Sequence, residues 1–148
     1  MAEIRRIRVD DAPVVRDLYR AYAAALAERY PEDAIGISEQ GLSNLETLFR
    51  LGVVRDDEAT FVADDGGELT GFVTASVRRG RALPGVAGEI GELWATEPGL
   101  ERRLAETAVQ RLLERGGGAI FHTEDAEHPA REPWESLAAD VVRFSRYA

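Results

Sequence analysis

Apolar residues recur at a spacing of three to four positions in three segments of the chain, which predicts three amphipathic helices. Pro13, next to the N-cap signal Asp-Asp-Ala, places the start of the first helix, and Ser38 is a typical N-cap for the second. The third helix carries one apolar stripe, and glycines at positions 116–118 stop it. The three predicted helices cover residues 10–29, 38–52 and 98–116, and the stripe of the third consists of Leu100, Leu104, Ala108 and Leu112.

Runs of β-branched and aromatic residues predict six strands, before and between these helices and near the end of the chain. The turn signal Asp-Asp-Gly-Gly joins the second and third strands into a hairpin. A further short helix, over residues 131–137, precedes the last strand. The element order β-α-α-β-β-β-α-β-α-β predicts an α/β fold, with a mixed (α+β) sheet that has helices on its faces. The predicted strands cover residues 4–9, 60–63, 69–77, 86–95, 119–122 and 140–147.

Composition narrows the functional classes. A length of 148 residues predicts a single domain over 1–148. Without cysteine and with only His122 and His128, the chain offers no thiolate nucleophile, and we expect no metal site. No apolar run is long enough to span a bilayer, and the first residues lack a secretory core, so we expect a cytoplasmic protein without a membrane partner.

The net charge of −9 argues against nucleic acid as a partner, because phosphates require basic patches. This charge fits a cationic substrate such as an amine. It equally fits an acidic surface that only keeps the protein soluble.

Residues 88–104 form the most informative segment, because they read as a strand, a tight turn and the first turn of a helix. Such a helix start can bind phosphate: its first N–H groups have no internal partner, and the helix dipole favours anions. Glycine-rich loops usually supply the close approach at these sites. Here Gly99 is the only glycine between Pro98 and Leu104. The sequence therefore suggests the strand–turn–helix geometry of a phosphate site without its usual glycine-rich loop.

Five phrases of the chain, taken in order, are EIRRIRVDDAPVVRDLY, ATFVADDGGELTGFVTASV, GEIGELWATEP, ERRLAETAVQRLLERGG and PWESLAADVVRFSRYA. Together they resemble the GNAT superfamily of acyl-CoA-dependent N-acyltransferases, and they cover nearly the whole chain. The resemblance implies the GNAT fold, acetyl-CoA as co-substrate and an amine as acceptor. It also implies direct attack of the amine in a ternary complex, without a covalent enzyme intermediate.

The resemblance implies a place for acetyl-CoA. In GNAT proteins the fourth strand bulges and parts from its neighbour, which leaves backbone groups for the pantetheine arm, and Gly91-Glu92 matches this bulge. The basic, glycine-rich diphosphate loop of the family is shortened here, and Glu97 and Glu101 would lie beside the diphosphate. Alternatively these acids only complement the helix dipole. The residues implied at the cofactor are Leu93, Trp94, Ala95, Gly99, Leu100, Arg102, Arg103 and Leu104, with the two arginines offsetting the acids.

Acyl transfer to an amine needs a base for the ammonium proton and an acid for the leaving thiolate. Glu89 matches a fourth-strand glutamate that acts as base in some GNAT members, or it is a solvent-facing strand residue. Glu92 is the weaker candidate for the base, or it only lies at the edge of the bulge. Where many members have a tyrosine acid this chain has Trp134, which cannot release a proton near neutral pH. His128 could serve as the acid, or it is an ordinary surface-loop histidine.

Two functions therefore stay open on the sequence. One is an N-acetyltransferase acting on an amine of a small molecule or a protein. The other is a catalytically inactive GNAT-like domain that binds a ligand or forms a homodimer, which the shortened loop and the missing tyrosine favour.

Overall fold

The computed structural model of the chain describes residues 2–29, 38–79, 86–124 and 142–145. These ranges contain six strands and three α-helices. The strands are β1 (Glu3–Arg6), β2 (Glu58–Asp65), β3 (Glu68–Arg79), β4 (Val86–Ala95), β5 (Gly117–Glu124) and β6 (Val142–Ser145). The helices are α1 (Ala12–Arg29), α2 (Glu39–Gly52) and α3 (Pro98–Glu114).

All six strands belong to one sheet, in which their spatial order from β1 to β6 is also their order in the chain. Strands β1 to β4 are antiparallel neighbours. Strand β5 runs parallel to β4, which requires the crossover that α3 provides, and β6 runs parallel to β5. The predicted mixed sheet with helices on its faces is confirmed.

The two faces of the sheet carry separate cores. Helix α3 covers one face, where Leu104, Leu112 and Ile120 are almost completely buried. On the other face Phe72 is fully buried among residues of α1 and α2. Three rings surround it, with centroids 6.2–6.3 Å from its own, in tilted or edge-on contact: Tyr19, Tyr22 and Phe49.

The β2–β3 hairpin forms where the sequence predicts it. Gly66 and Gly67 have φ values of 62° and 101°, the left-handed region that the two central residues of this tight turn require. The Asp64 carboxylate accepts the Gly67 N–H at 2.7 Å and closes the turn from inside.

Helix boundaries follow the predicted caps closely, whereas several strand boundaries differ from the prediction by one to three residues. Ser38 Oγ accepts the Gly41 N–H at 3.0 Å, as an N-cap should. Strand β1 ends earlier than predicted because residues 9–11 form a 3₁₀ turn before α1, stabilised by the Arg8 N–H donating to the Asp11 carboxylate. Strands β2 (Glu58–Asp65) and β5 (Gly117–Glu124) each extend two residues beyond their predicted bounds at both ends. The predicted helix over 131–137 lies outside the described residues.

Arg5 ties β1 to β2 and to the 3₁₀ turn. Its guanidinium donates two hydrogen bonds to Asp11, at 2.7 and 3.0 Å, and one to Asp64 at 2.9 Å. All three side chains are less than 20 % exposed. The hydrogen bonds from Arg5 lower the pKa of both carboxyl groups below its ordinary value.

Candidate active site

Strands β4 and β5 part halfway along β4. Their pairing ends where Ile90 faces His122, and within the described residues the remainder of β4 pairs only with β3, while β5 continues alongside β6. Backbone groups of residues 91–95 that point away from β3 therefore have no strand partner there. This is the parted strand pair that the resemblance implies.

A bulge in β4 lies next to the parting point. In the β3–β4 ladder Val73 faces Leu93 and Ala75 faces Ile90, so Thr74 alone opposes both Gly91 and Glu92. The bulge predicted at Gly91-Glu92 is thereby confirmed. Without it, residues 89 and 92 would point to opposite faces of the sheet, because strand side chains alternate.

With the bulge, Glu89 and Glu92 both line a cavity of about 280 Å³ on the sheet face that carries α1 and α2. The floor is formed by two transverse rows of the sheet. One row is Glu58, Ser76 and Glu89, and the next is Thr60, Thr74 and the bulge residues. The helices contribute a mostly apolar wall of Tyr19, Leu45, Leu48 and Phe49.

The cavity is acidic, since three glutamates and no basic residue appear among its described lining residues. The Glu58 carboxylate has an ion-pair partner, Arg55, at 3.3 Å. Because both side chains are about half exposed, this pair contributes little to the stability of the fold. A cavity with carboxylates on its floor and apolar groups on its wall is suited to a cation attached to an apolar body.

The mouth of α3, on the way from β4, offers few donors to an anion. Its N-cap residue Glu97 makes no side-chain cap, Pro98 has no N–H, and the Leu100 N–H already donates to the Glu97 carbonyl at 3.1 Å. The exposed Gly99 is left as the open approach. Burial raises the pKa of the Glu101 carboxyl, which is half-buried in the same turn.

The two arginines predicted to offset these acids have other partners. Arg102 Nε donates to Glu106 Oε1 at 3.0 Å, one turn further along α3. Arg103 donates to the Ala2 carbonyl at 2.7 Å, which ties α3 to the start of the chain. Arg103 also lines a second surface cavity of about 280 Å³ together with Glu97 and Gly99.

The apolar residues expected at the cofactor place their side chains in the cores. Ala95, Leu100 and Leu104 are buried on the α3 face, where Leu93 packs against them, and Trp94 packs on the α1 face. Trp94 Nε1 is buried and has no hydrogen-bond acceptor among the described residues. Between Leu93 and Ala95, a ligand in the gap between the strands would therefore bond to backbone groups rather than to side chains.

Some predicted residues are not placed. His128 and Trp134 lie outside the described residues, and of His122 the structure describes the backbone position in β5 alone. Conversely, the sequence reasoning missed Glu58, Thr74 and Ser76. The alternation of Thr74 and Ser76 with apolar residues in β3 is the signal that could have pointed to a polar patch on one sheet face.

Two further properties concern the described residues as a whole. None of the helices there is both long and apolar enough to cross a membrane. No group of three histidine, aspartate or glutamate side chains in those ranges is arranged to hold a metal ion.

No protein-family sequence model matches the chain, and a search of curated proteins finds no relative. Solved structures do match. An aminoglycoside acetyltransferase from an uncultured soil metagenomic sample, solved with sisomicin, has 18 % identity and a TM-score of 0.64, over 93 % of this chain and 85 % of that one.

A protein described as a transcriptional regulator from Bacillus halodurans has 19 % identity and a TM-score of 0.69, over 93 % and 91 % of the two chains. A ribosomal-protein-alanine N-acetyltransferase from Brucella melitensis has 15 % identity and a TM-score of 0.62, over 94 % and 88 %. At such identities the likeness concerns the backbone architecture. The chain therefore has the fold of the GNAT acetyltransferases.

Proposed function

We propose that the protein transfers an acetyl group from acetyl-CoA to a cationic amine that binds in the acidic cavity. One observation carries this proposal: the parted strands and the acidic cavity meet at the same bulge of β4. A thioester held from the gap and an amine held from the cavity would approach each other there, which is the positioning that direct transfer requires.

The parted strands fit the pantetheine arm of acetyl-CoA better than the mouth of α3 fits its diphosphate. Unpaired backbone groups of residues 91–95 can bond the amides of the arm as a missing strand would. At the helix mouth Gly99 offers an approach, but Glu97 and Glu101 oppose a diphosphate there. We therefore expect acetyl-CoA to bind mainly through its arm and only weakly through its phosphates.

The reaction needs one proton removed before the attack. An ammonium group in the cavity gives a proton to Glu89 or Glu92, and the neutral nitrogen attacks the thioester carbonyl carbon. The carbon–sulfur bond then breaks, and the second nitrogen proton goes to the leaving thiolate, which yields an amide and free CoA. His128 stays a hypothesis as the acid in that last transfer: it would give its own proton to the thiolate and take up the second nitrogen proton in exchange.

Calorimetric titration with acetyl-CoA, followed by a thiol-release assay, tests the proposal. The acceptor panel comprises a diaminoalkane, an arylalkylamine, sisomicin and a peptide with an N-terminal alanine. We expect binding, and turnover with at least one amine that falls at least about 100-fold in Glu89→Gln or Glu92→Gln. Glu114→Gln, at the far end of α3, removes the same charge and should keep wild-type turnover.

A second candidate function is a non-catalytic domain that binds a ligand or pairs with a second copy. The acids at the α3 mouth and the arginines engaged elsewhere favour it, and one solved structure of this fold is described as a transcriptional regulator. Absence of heat at millimolar acetyl-CoA and absence of thiol release with every amine would establish this alternative, and sedimentation would then show whether it forms a homodimer.

A further inference from the structure

We infer that Thr74 is a positioning residue that holds the Glu92 carboxylate in the cavity, and that Glu92 is the group that takes the ammonium proton. This inference rests on the proposed acyl transfer and assigns its base. Thr74 lies on β3, was not suggested by the sequence, and is joined to Glu92 across the bulge.

The two residues share a reciprocal pair of hydrogen bonds. The Thr74 hydroxyl donates to Glu92 Oε2 at 2.5 Å, and the hydroxyl oxygen, Thr74 Oγ1, accepts the Glu92 backbone N–H at 2.9 Å. One hydroxyl thus fixes both the backbone and the carboxylate of Glu92. Oε2 is used by this contact, and no hydrogen bond among the described residues uses Oε1, which leaves that oxygen for a ligand.

Gly91 makes this contact sterically possible. A Cβ atom at position 91 would lie 2.5 Å from Thr74 Oγ1, closer than real Cβ contacts come. Any larger residue at position 91 must displace the threonine hydroxyl or open the bulge. Gly91, Thr74 and Glu92 are therefore one arrangement, and its geometry determines where the carboxylate lies.

The register of the sheet favours Glu92 over Glu89 as the base. Glu89 precedes the last β4–β5 pair and is itself in register with Phe121, whereas Glu92 follows the parting point. Glu92 thus lies on the part of β4 that has no partner on the β5 side. Of the two carboxylates it is the one beside both the cavity and the gap between the strands.

The proton step is then specific. The acceptor ammonium gives one proton to Glu92 Oε1, forming a neutral amine and a carboxylic acid, while Oε2 stays with the Thr74 hydroxyl. A carboxylate held by a hydrogen bond keeps its second oxygen at the nitrogen, and loss of such positioning typically lowers the rate without changing how the other substrate binds.

Steady-state kinetics of thiol release, with the best amine of the panel above, tests the inference. We expect Thr74→Val to lower kcat by about tenfold with an unchanged KM for acetyl-CoA, and Thr74→Ser to restore most of it because the hydroxyl returns. Thr47→Val removes a hydroxyl hydrogen bond on the exposed side of α2 and should behave as wild type.

A double-mutant cycle separates positioning from a general packing defect. If Thr74 acts through Glu92, Thr74→Val should lower kcat no further in the Glu92→Gln protein. Equal kcat values for Thr74→Val and wild type, or a tenfold loss that persists in Glu92→Gln, overturn the inference while leaving acyl transfer intact.

An NMR measurement without substrate tests the Thr74–Glu92 contact even if the Thr74 variants are unstable or the protein turns over no amine. The Thr74 hydroxyl proton should give a slowly exchanging NMR signal in the wild-type protein that disappears in Glu92→Ala. Absence of that signal contradicts the positioning. A wild-type protein that retains the signal but turns over no amine overturns the proposed function, and the role of Glu92 as base with it.

Discussion

The two faces of this sheet use the same strands for different purposes. On the α3 face the strand residues are apolar along the whole length of the helix, and the core is closed. On the other face an apolar row, Val62, Phe72 and Trp94, is covered by the helices, but the next rows are polar and border the cavity.

The contrast follows from alternation along β3. Val73 and Ala75 point to α3, while Thr74 and Ser76 point to the opposite face. A helix packs stably only over the apolar part of such a face, since buried polar groups need partners. The α3 face therefore supplies stability along its whole length, whereas the other face supplies it in its apolar row and presents polar groups beyond that row.

The largest expected effect is a loss of stability on the α3 face, whose core is closed. Leu104→Ala should lower the free energy of unfolding by about 2–5 kcal/mol, because Leu104 is fully buried under α3. Leu48→Ala, at the cavity wall, should lower it by less than about 1 kcal/mol, because Leu48 is 54 % exposed. Urea denaturation measures both, and equal losses would contradict the distinction between the faces.

A somewhat smaller loss of stability is expected on the face that carries α1 and α2, where Arg5 and its carboxylate partners are fully paired. Arg5→Met should lower the free energy of unfolding by about 3 kcal/mol, because it leaves Asp11 without its partner in a mostly buried site. Arg20→Met, which breaks an exposed pair with Glu39, should lower it by less than about 1 kcal/mol.

The stability difference between the wild-type protein and Arg5→Met should depend on pH. Arg5 lowers the pKa of Asp11 and Asp64, so its contribution is complete above the ordinary aspartate pKa of about 4 and is lost as the pH falls through the lowered values. The stability difference between wild type and Arg5→Met should therefore be constant near pH 7 and shrink below about pH 4. A difference independent of pH down to pH 2 would show that the carboxylates are not the partners that matter.

The smallest expected effect concerns the mouth of α3. Glu101→Gln removes a negative charge near the expected diphosphate, and we expect the Kd for acetyl-CoA to fall about fivefold at low salt, which corresponds to about 1 kcal/mol. Glu114→Gln is the matched control and should leave the Kd unchanged.

Because burial raises the pKa of Glu101, this carboxyl is protonated at a higher pH than an ordinary glutamate. The wild-type Kd should therefore approach that of Glu101→Gln as the pH is lowered, and this change should begin above the pH range in which an ordinary glutamate is protonated. Calorimetry at several pH values checks this. A Kd that is the same in both proteins at pH 7.5 would place the phosphates away from this turn.

The fold could be predicted from local signals because most of its elements carry them. The Ser38 cap, the glycine turn of the hairpin and the apolar stripe of α3 each depend on neighbours in the chain. The boundary of β1 could not be predicted, since it depends on an Asp11 carboxylate that folds back onto the Arg8 backbone.

The site could be predicted only in part. Gly91-Glu92 was recognisable from the resemblance, but its partner Thr74 is 18 residues away and is brought there by the register of β3 against β4. The rows that join Glu58 to Glu89 depend on two ladders at once. Likewise, nothing local shows that Arg102 and Arg103 bond to Glu106 and Ala2 rather than to an anion.

The parting of β4 from β5 gives this sheet an edge in its interior. Outer edges of sheets invite pairing with other chains, and proteins usually blunt them with charge, proline or a short strand. Within the described residues, positions 93–95 lie between the two cores, whereas Gly91 and Glu92 border the cavity, so the unpaired edge is approached in the plane of the sheet and from the cavity. An extended molecule of the width of a single strand can enter this slot, whereas a second sheet cannot.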